Sequence, residues 1–316
     1  MRIAILKDHL SDTTSADAKD NALEAQYVAA HLEPRHTVCQ IEFVPDLERV
    51  TADLREFAPD VVFNLVESVC DRGALSVVAV HLLEALKYHY TGCRVYSQVV
   101  TADKLLTKQV LEDKHIATPA GDGTTASDFV PGTEYILKAQ TEHASIGLDD
   151  SCIARYDSYW ALQRALAIKR SETGLDWMAE QYIEGREFSC AFLGAEVLPP
   201  MESRFDDAFE GHKIITYQTK WEENSLAYGQ RVRCFDIEEP VVQQLKKLTA
   251  TCCTALSMDN GYARIDFRMD GAGKLYVIDI NTNPCVSDDS SFLEMARQQG
   301  YTMEYVFEKI VEYAML

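Results

Sequence analysis

Asp266, Asp279 and Asn281 stand where strands would be expected to bury Ile, Val or Phe, within the stretch YARIDFRMDGAGKLYVIDINTNP at 262–284. The stretch reads as two strand-like runs around a Gly-rich turn. A four-residue loop at 270–273 pairs Met269 with Lys274, and the same register sets Arg264 opposite Asp279 and Asp266 opposite Val277. Side chains two apart share a face, so Arg264, Asp266, Asp279 and Asn281 project together. Two carboxylates and an amide oxygen at one end of a ribbon repel unless a cation compensates. A hard divalent ion carried on a nucleotide, Mg2+ or Mn2+, suits that donor set. On the hairpin alone, a solvated ribbon with an Arg–Asp pair is the competing reading.

Three other segments bear on that choice. Lys138 closes the apolar run EYILKA and precedes the small, polar segment AQTEHASIGL, where a point charge and loop amides can meet a phosphate. In AEQYIEGREF, Glu180, Tyr182 and Ile183 lie at a strand end, where edge backbone can pair with a purine while Ile183 packs on its face. Glu187 follows, a carboxylate able to accept ribose hydroxyls. Lys104 sits near a helix start with Lys108 one turn on. Taken singly, these read as a surface lysine, an ordinary hairpin and a solvated helix face, and they gain weight only together.

The elements that hold these residues fall into two patterns. Strand signals at 3–6, 37–43 and 61–65 alternate with helical stretches at 22–32, 50–57 and 76–86, which predicts a parallel α/β lobe. From 135 onward paired strands with short turns dominate, including a turn at Glu184 and Gly185. Helices are expected at 101–114, 158–169, 239–256 and 303–314. The expected domains are an N-terminal α/β unit at 1–97 and a larger α+β unit at 98–316, divided into lobes at 98–177 and 178–316.

A chain of 316 residues with 47% hydrophobic and 25% charged residues can bury more than one core and is not compositionally disordered. Its formal net charge of −20 repels phosphate backbones and anionic lipid, which argues against nucleic acid and membrane as partners. Nine scattered cysteines without a CxxC pair read as reduced thiols and predict a cytoplasmic protein. The opening MRIAILK is too brief for a secretory apolar segment.

In order, the DK..TK helix, the strand lysine with its small-residue loop, ExYIEGREF and RIDF…DINTNP resemble the ATP-grasp superfamily, and most closely the D-alanine:D-alanine ligases. No GxxxxGK[ST] sequence competes for the nucleotide. The resemblance runs from Tyr90 to Leu316 and implies a pre-ATP-grasp lobe followed by a two-lobed ATP-grasp domain. It also implies ATP and Mg2+ as cofactors, small amino acid or peptide substrates, and a homodimer.

By the same resemblance, Lys104 and Lys138 bind phosphate, with Ser145 in the loop that closes over it. Glu180, Tyr182 and Ile183 form the adenine strand, and Glu187 meets the ribose. Asp266, Asp279 and Asn281 hold the metal, with Asp279 where the family usually has Glu. Arg264 faces the oxyanion, Ser290 the carboxylate of the second amino acid, and Lys220 reaches the phosphates from a closing loop at 210–229. The implied reaction converts a carboxylate to an acyl phosphate, which an amine then displaces.

The pattern departs from the family at the substrate end. The glycine-rich turn and ammonium-binding glutamate are replaced by LKDHLSDTTSADAKD. The family's Gly-Ser-Ser becomes His143, Ala144 and Ser145, and its loop tyrosine becomes Trp221. A site built around hydrogen bonds to its substrate discriminates strongly, so these changes predict a different acid. Glu67 and Asp8 are the candidates for a replacement ammonium contact. An ATP-binding protein without turnover and a D-alanine:D-alanine ligase with a rebuilt pocket remain the alternatives.

Overall fold

A computed structural model describes residues 1–9, 16–121, 123, 125–143, 145–206, 209, 211–216, 231–258 and 260–316. Strands β1 (Arg2–Asp8), β2 (Thr37–Phe43), β3 (Val61–Asn64) and β4 (His89–Tyr90) form a parallel sheet in the order β2-β1-β3-β4. Parallel strands need crossovers, and α1 (Ala16–Leu32), α2 (Leu47–Phe57) and α3 (Val77–Leu86) supply them. Ile3, Ile5 and Phe63 pack towards α1, whereas Ala4, Leu6 and Val62 pack towards α2 and α3. Both faces are covered, which explains why β1 and β3 are apolar runs and do not alternate.

The helix expected at 101–114 is α5 (Lys104–Asp113), preceded by a separate helix, α4 (Val95–Thr101). Asp103 divides them by accepting from the Leu105 and Leu106 amides, a side-chain cap that makes Lys104 the first residue of α5.

The central sheet holds β5 (Glu134–Ala139), β6 (Ile153–Arg155) and β7 (Trp177–Gln181) in the order β6-β5-β7, all antiparallel. Its core joins Tyr135, Leu137 and Trp177 to Leu162 and Leu166 of α6 (Tyr159–Thr173). Strand β7 belongs to this sheet, so the sheet continues past residue 177, where the sequence reading ended the lobe. The turn at Glu184 and Gly185 does not close a hairpin either. Strand β8 (Arg186–Leu193) joins a different sheet, so the turn is a passage between sheets. Gly185 makes that passage possible: at φ 144° its backbone presses on the hairpin end, and a Cβ there would lie 2.0 Å from the Met269 carbonyl oxygen.

The second large sheet adds β9 (Glu196–Val197), β10 (Met201–Phe205), β11 (Arg231–Cys234), β12 (Tyr262–Met269) and β13 (Leu275–Asn281). Its order is β11-β10-β8-β12-β13, with β9 paired to β8. Helix α7 (Glu239–Ala255) covers its back through Leu245, Cys252 and Cys253 against Phe188, Ile265 and Phe267. The closing helices α8 (Ser291–Gln298) and α9 (Met303–Ala314) pack Phe292, Phe307 and Ile310 into one core with Val28 and Leu32 of α1 and Phe63 of β3. The first and last parts of the chain therefore share a core. All nine cysteines are free thiols. Among the described residues, no helix is long and apolar enough to cross a membrane.

Candidate active site

Strands β12 and β13 pair Met269 with Leu275 and Phe267 with Val277, then slip so that Asp266 faces Asp279 and Arg264 faces Asn281. This corrects the sequence register, which had Lys274 opposite Met269 and Val277 opposite Asp266. The first cause is the loop: the Asp270 amide donates to the Lys274 carbonyl at 3.0 Å, and the Asp270 carboxylate accepts from the amides of Ala272 and Lys274. The loop thus takes in Lys274. The second cause is a bulge that leaves Ile278 unmatched between Val277 and Asp279. Two single-residue shifts restore parity, so the four polar side chains still share a face although each pairing has moved. Without the bulge, Asp279 and Asn281 would turn into the core under α7.

On that face Arg264 donates from Nε and Nη2 to Asp266 at 2.9–3.1 Å, and Ser189 Oγ donates to Asp266 Oδ1 at 2.6 Å. Burial opposes the Arg264 charge, but Asp266 and then Asp279 outweigh it and hold the guanidinium above its ordinary pKa. Asp279 has Lys104 Nζ and His143 Nδ1 each at 4.0 Å. Burial would raise the Asp279 pKa, yet Lys104, His143 and Lys138 together keep it below the usual carboxylate value. Burial pulls the Lys104 pKa down, with Asp279 acting against that fall. Lys104 also donates to the Glu142 carbonyl at 2.5 Å.

Lys138 projects from β5 to Glu180 Oε1 on β7 at 2.6 Å and to the carbonyl of the bulged Ile278 at 3.3 Å. Lys108 lies 3.5 Å from the other Glu180 oxygen and donates to the Pro119 carbonyl. The Glu180 side chain thus holds two lysines in place. The Arg268 guanidinium carbon lies 5.0 Å above the Tyr182 ring, and its Nη1 is 3.7 Å from Glu187. Burial raises the Glu187 pKa, and Arg268 partly offsets the rise. Ser145, at φ 60°, donates from Oγ to the Ile215 carbonyl at 2.8 Å. Ser290 caps α8, its Oγ accepting from the Leu293 amide at 3.3 Å.

One cleft of about 700 Å³ gathers these groups. Lys104, Lys138, Ser145, Glu180, Tyr182, Ile183, Glu187, Arg264, Asp266, Asp279, Asn281, Ser290 and Glu67 all line it. Lys220, Ala144 and Trp221 fall outside the described residues. Asp8 is placed differently: it is buried, and its carboxylate accepts from the Glu67 amide and from the amide and hydroxyl of Ser68. It therefore fixes the segment that carries Glu67.

Sequence reasoning missed part of the wall. Asp20, Asn21 and Glu24 of α1 line the cleft, as do Ser189, Arg231, Arg233 and Arg268. Glu24 is buried, accepts from the Val286 amide at 2.5 Å, and has its pKa raised well above normal by burial and then by Glu67. The strand pattern RVRC carried a signal for the two arginines, since alternation places both on one face. An acid on a helix carries no comparable signal.

Asp266 and Asp279, directly opposed, and the Asn281 amide oxygen two residues on are hard donors on one face of the ribbon, a type of set that fits Mg2+. The Asn281 Oδ1 accepts from the Asn283 amide at 2.9 Å, which orients it.

Residues 135–312 match the model of the family described as D-ala D-ala ligase C-terminus. The chain is 30% identical over 332 aligned positions to the D-alanine–D-alanine ligase of Moorella thermoacetica, covering 100% of this chain and 99% of that one. It is 29% identical over 316 positions to the enzyme of that name from Sphingopyxis alaskensis, covering 95% of each. Among solved structures, the D-alanine–D-alanine ligase from Bacillus anthracis complexed with ATP is similar at a TM-score of 0.77 and 17% identity, covering 100% of this chain and 97% of that one. The ligase from Coxiella burnetii is similar at 0.70 and 19% identity, covering 100% and 94%. These two likenesses carry the fold.

Proposed function

Because the chain belongs to the D-alanine–D-alanine ligase family of ATP-grasp proteins, we propose that it is an ATP-dependent, ADP-forming carbon–nitrogen ligase that joins an amino acid or small peptide acid to an amine. The observation that carries this reading is the shared face of Arg264, Asp266, Asp279 and Asn281, in one cleft with Lys104 and Lys138. Nucleotide binding alone has no use for an arginine at that position.

A carboxylate is a poor acyl donor because its leaving group would be oxide. Attack of its oxygen on the γ-phosphorus releases ADP and gives an acyl phosphate. The amine then attacks the carbonyl carbon, inorganic phosphate departs and the nitrogen loses a proton. Lys138, steadied by Glu180, and Lys104, beside Asp279, set positive charge against the phosphates. Asp266, Asp279 and Asn281 would hold Mg2+, which when bound neutralises charge on the triphosphate oxygens. Arg264 opposes the oxyanion of the tetrahedral intermediate, while Asp266 fixes its plane. The Tyr182–Ile183 segment receives the adenine and Glu187 the ribose.

The acid activated is not D-alanine. Support comes from the wall contributed by α1, where Asp20 and Glu24 stand with Glu67 in place of a single N-terminal glutamate. Further support comes from His143 at the loop position where the family carries glycine. Glu67, held by Asp8 through its amide, is the ammonium contact.

A second reading, D-alanine as both substrates, is favoured by the full-length identity to proteins of that name. ADP release with Mg·ATP across D- and L-amino acids, singly and in pairs, with mass-spectrometric identification of the product, separates the possibilities. The expected result is ADP release that depends on an acid other than D-alanine. Efficient D-alanyl-D-alanine formation would overturn the specificity reading. ADP release no greater than in Lys138→Ala would leave a nucleotide-binding protein.

A further inference from the structure

Arg231 is a cationic group of the cleft that stands apart from the close ion pairs among the described residues. It lies on the edge strand β11, and the register across β10, β8 and β12 puts it on the same face as Arg233, Glu187 and Asp266. Its neighbour Arg233 is committed, donating from Nη1 to Glu294 at 2.7 Å and to the Asp289 carbonyl at 2.6 Å. Arg231 is partly buried and lines the cleft, yet it makes no hydrogen bond or ion pair to another described residue. Burial, and then repulsion from Arg233, lower its pKa against the longer-range pull of Glu187 and Asp266, so an anion placed directly beside it would be held strongly.

The position of β11 selects which anion. Lys104, Lys138, Asp279 and Asp266 gather at β5, β12 and β13, and β11 lies three strand spacings from β12, roughly 14 Å across the sheet. The Arg233 contacts pin β11 to the start of α8, where Ser290 and Ser291, whose hydroxyls can donate, also line the cleft. An amine substrate lying between Arg264 and α8 has one acceptor group satisfied by those hydroxyls and a second within reach of a guanidinium. From this juxtaposition we infer that the amine substrate carries a second acidic group, as an acidic amino acid or a peptide ending in one, and that Arg231 is the residue that selects it. The inference deepens the ligase reading and rests on it for the word "substrate", but the binding preference can be measured without turnover.

Aspartate, glutamate and alanine, each in both D and L forms, are titrated calorimetrically into full-length protein saturated with Mg2+ and a non-hydrolysable ATP analogue. The wild type should bind one of the acidic amino acids about tenfold or more tighter than alanine. Arg231→Gln should collapse that preference to within about twofold while leaving nucleotide affinity and thermal unfolding unchanged, and Arg231→Lys should restore part of it. Equal binding of acidic and neutral amino acids by the wild type would overturn the inference. So would a preference that survives Arg231→Gln, or a loss confined to nucleotide affinity, which would make Arg231 a phosphate contact. ADP release from the same proteins with ATP is scored separately. Its absence alongside an intact acidic preference would sink the ligase reading and leave Arg231 as an acid-recognising residue.

Discussion

The two ends of the cleft handle charge in opposite ways. Where β5, β7 and β13 meet, Lys104, Lys108 and Lys138 each have a carboxylate within 4.0 Å, and Glu180 serves two of them. Where β11 and α1 line the cleft, Arg231 makes no hydrogen bond or ion pair to a described residue and is attracted by Glu187 and Asp266 only at longer range, and Glu24 is buried in the field of Glu67. A site whose ligand never changes can have its charges pre-positioned by internal pairs, at little reorganisation cost when the ligand arrives. A site that must choose among ligands does better with a charge left unmatched, because the right ligand then supplies what is missing and the wrong one does not.

The sharpest way to break this contrast is at the paired end. Lys138→Ala removes a phosphate contact and half of the Glu180 pair, and should lower kcat/KM for ADP formation by about 10²–10³-fold. A loss of less than tenfold would mean that the pair is structural only. Arg264→Ala should lower kcat by roughly 10²-fold with little change in KM for ATP. A rise in that KM with kcat intact would move Arg264 from the reacting carbonyl to the nucleotide. Gly185→Ala should cost about 2–4 kcal/mol in denaturant unfolding, because its Cβ would meet the Met269 carbonyl where the two sheets touch.

The smallest effect is expected at the selective end. The Glu24 carboxyl has its pKa raised in the folded protein, so the folded state keeps its proton at pH values where the unfolded chain has lost it. Stability from this group is therefore full below the ordinary glutamate value of 4.5 and declines as pH rises from there towards the raised value. Glu24→Gln keeps an acceptor for the Val286 amide and removes that decline, so its advantage in Tm over the wild type should widen above about pH 4.5. A gap that stays constant with pH would show that Glu24 does not titrate as described.

The shared face of the carboxylates was read correctly although neither shift behind it was legible. Asp266 and Asp279 fall on one face in both registers only because the longer loop and the bulge at Ile278 cancel. The passage at Gly185 was not legible, because two strands joined by a Glu-Gly turn look the same locally whether they pair with each other or with distant strands. Asp20 and Glu24 were invisible for a related reason. Acids on a helix read as solvated until the 285–287 segment, far away in the chain, is folded against them.

The core that joins α1 to α8, α9 and β3 has a mechanical consequence. Tightly packed interiors do not shear gradually, so the carboxylates on α1 and the guanidiniums on β11 and β12 form the two sides of a fixed vice whose gap is set at folding. The small sheet bearing Lys138 lies outside that block, with its own core around Trp177. A swing of that sheet, with the chain crossing at Gly185 as one pin of its hinge, is therefore the expected way to widen the cleft for a nucleotide.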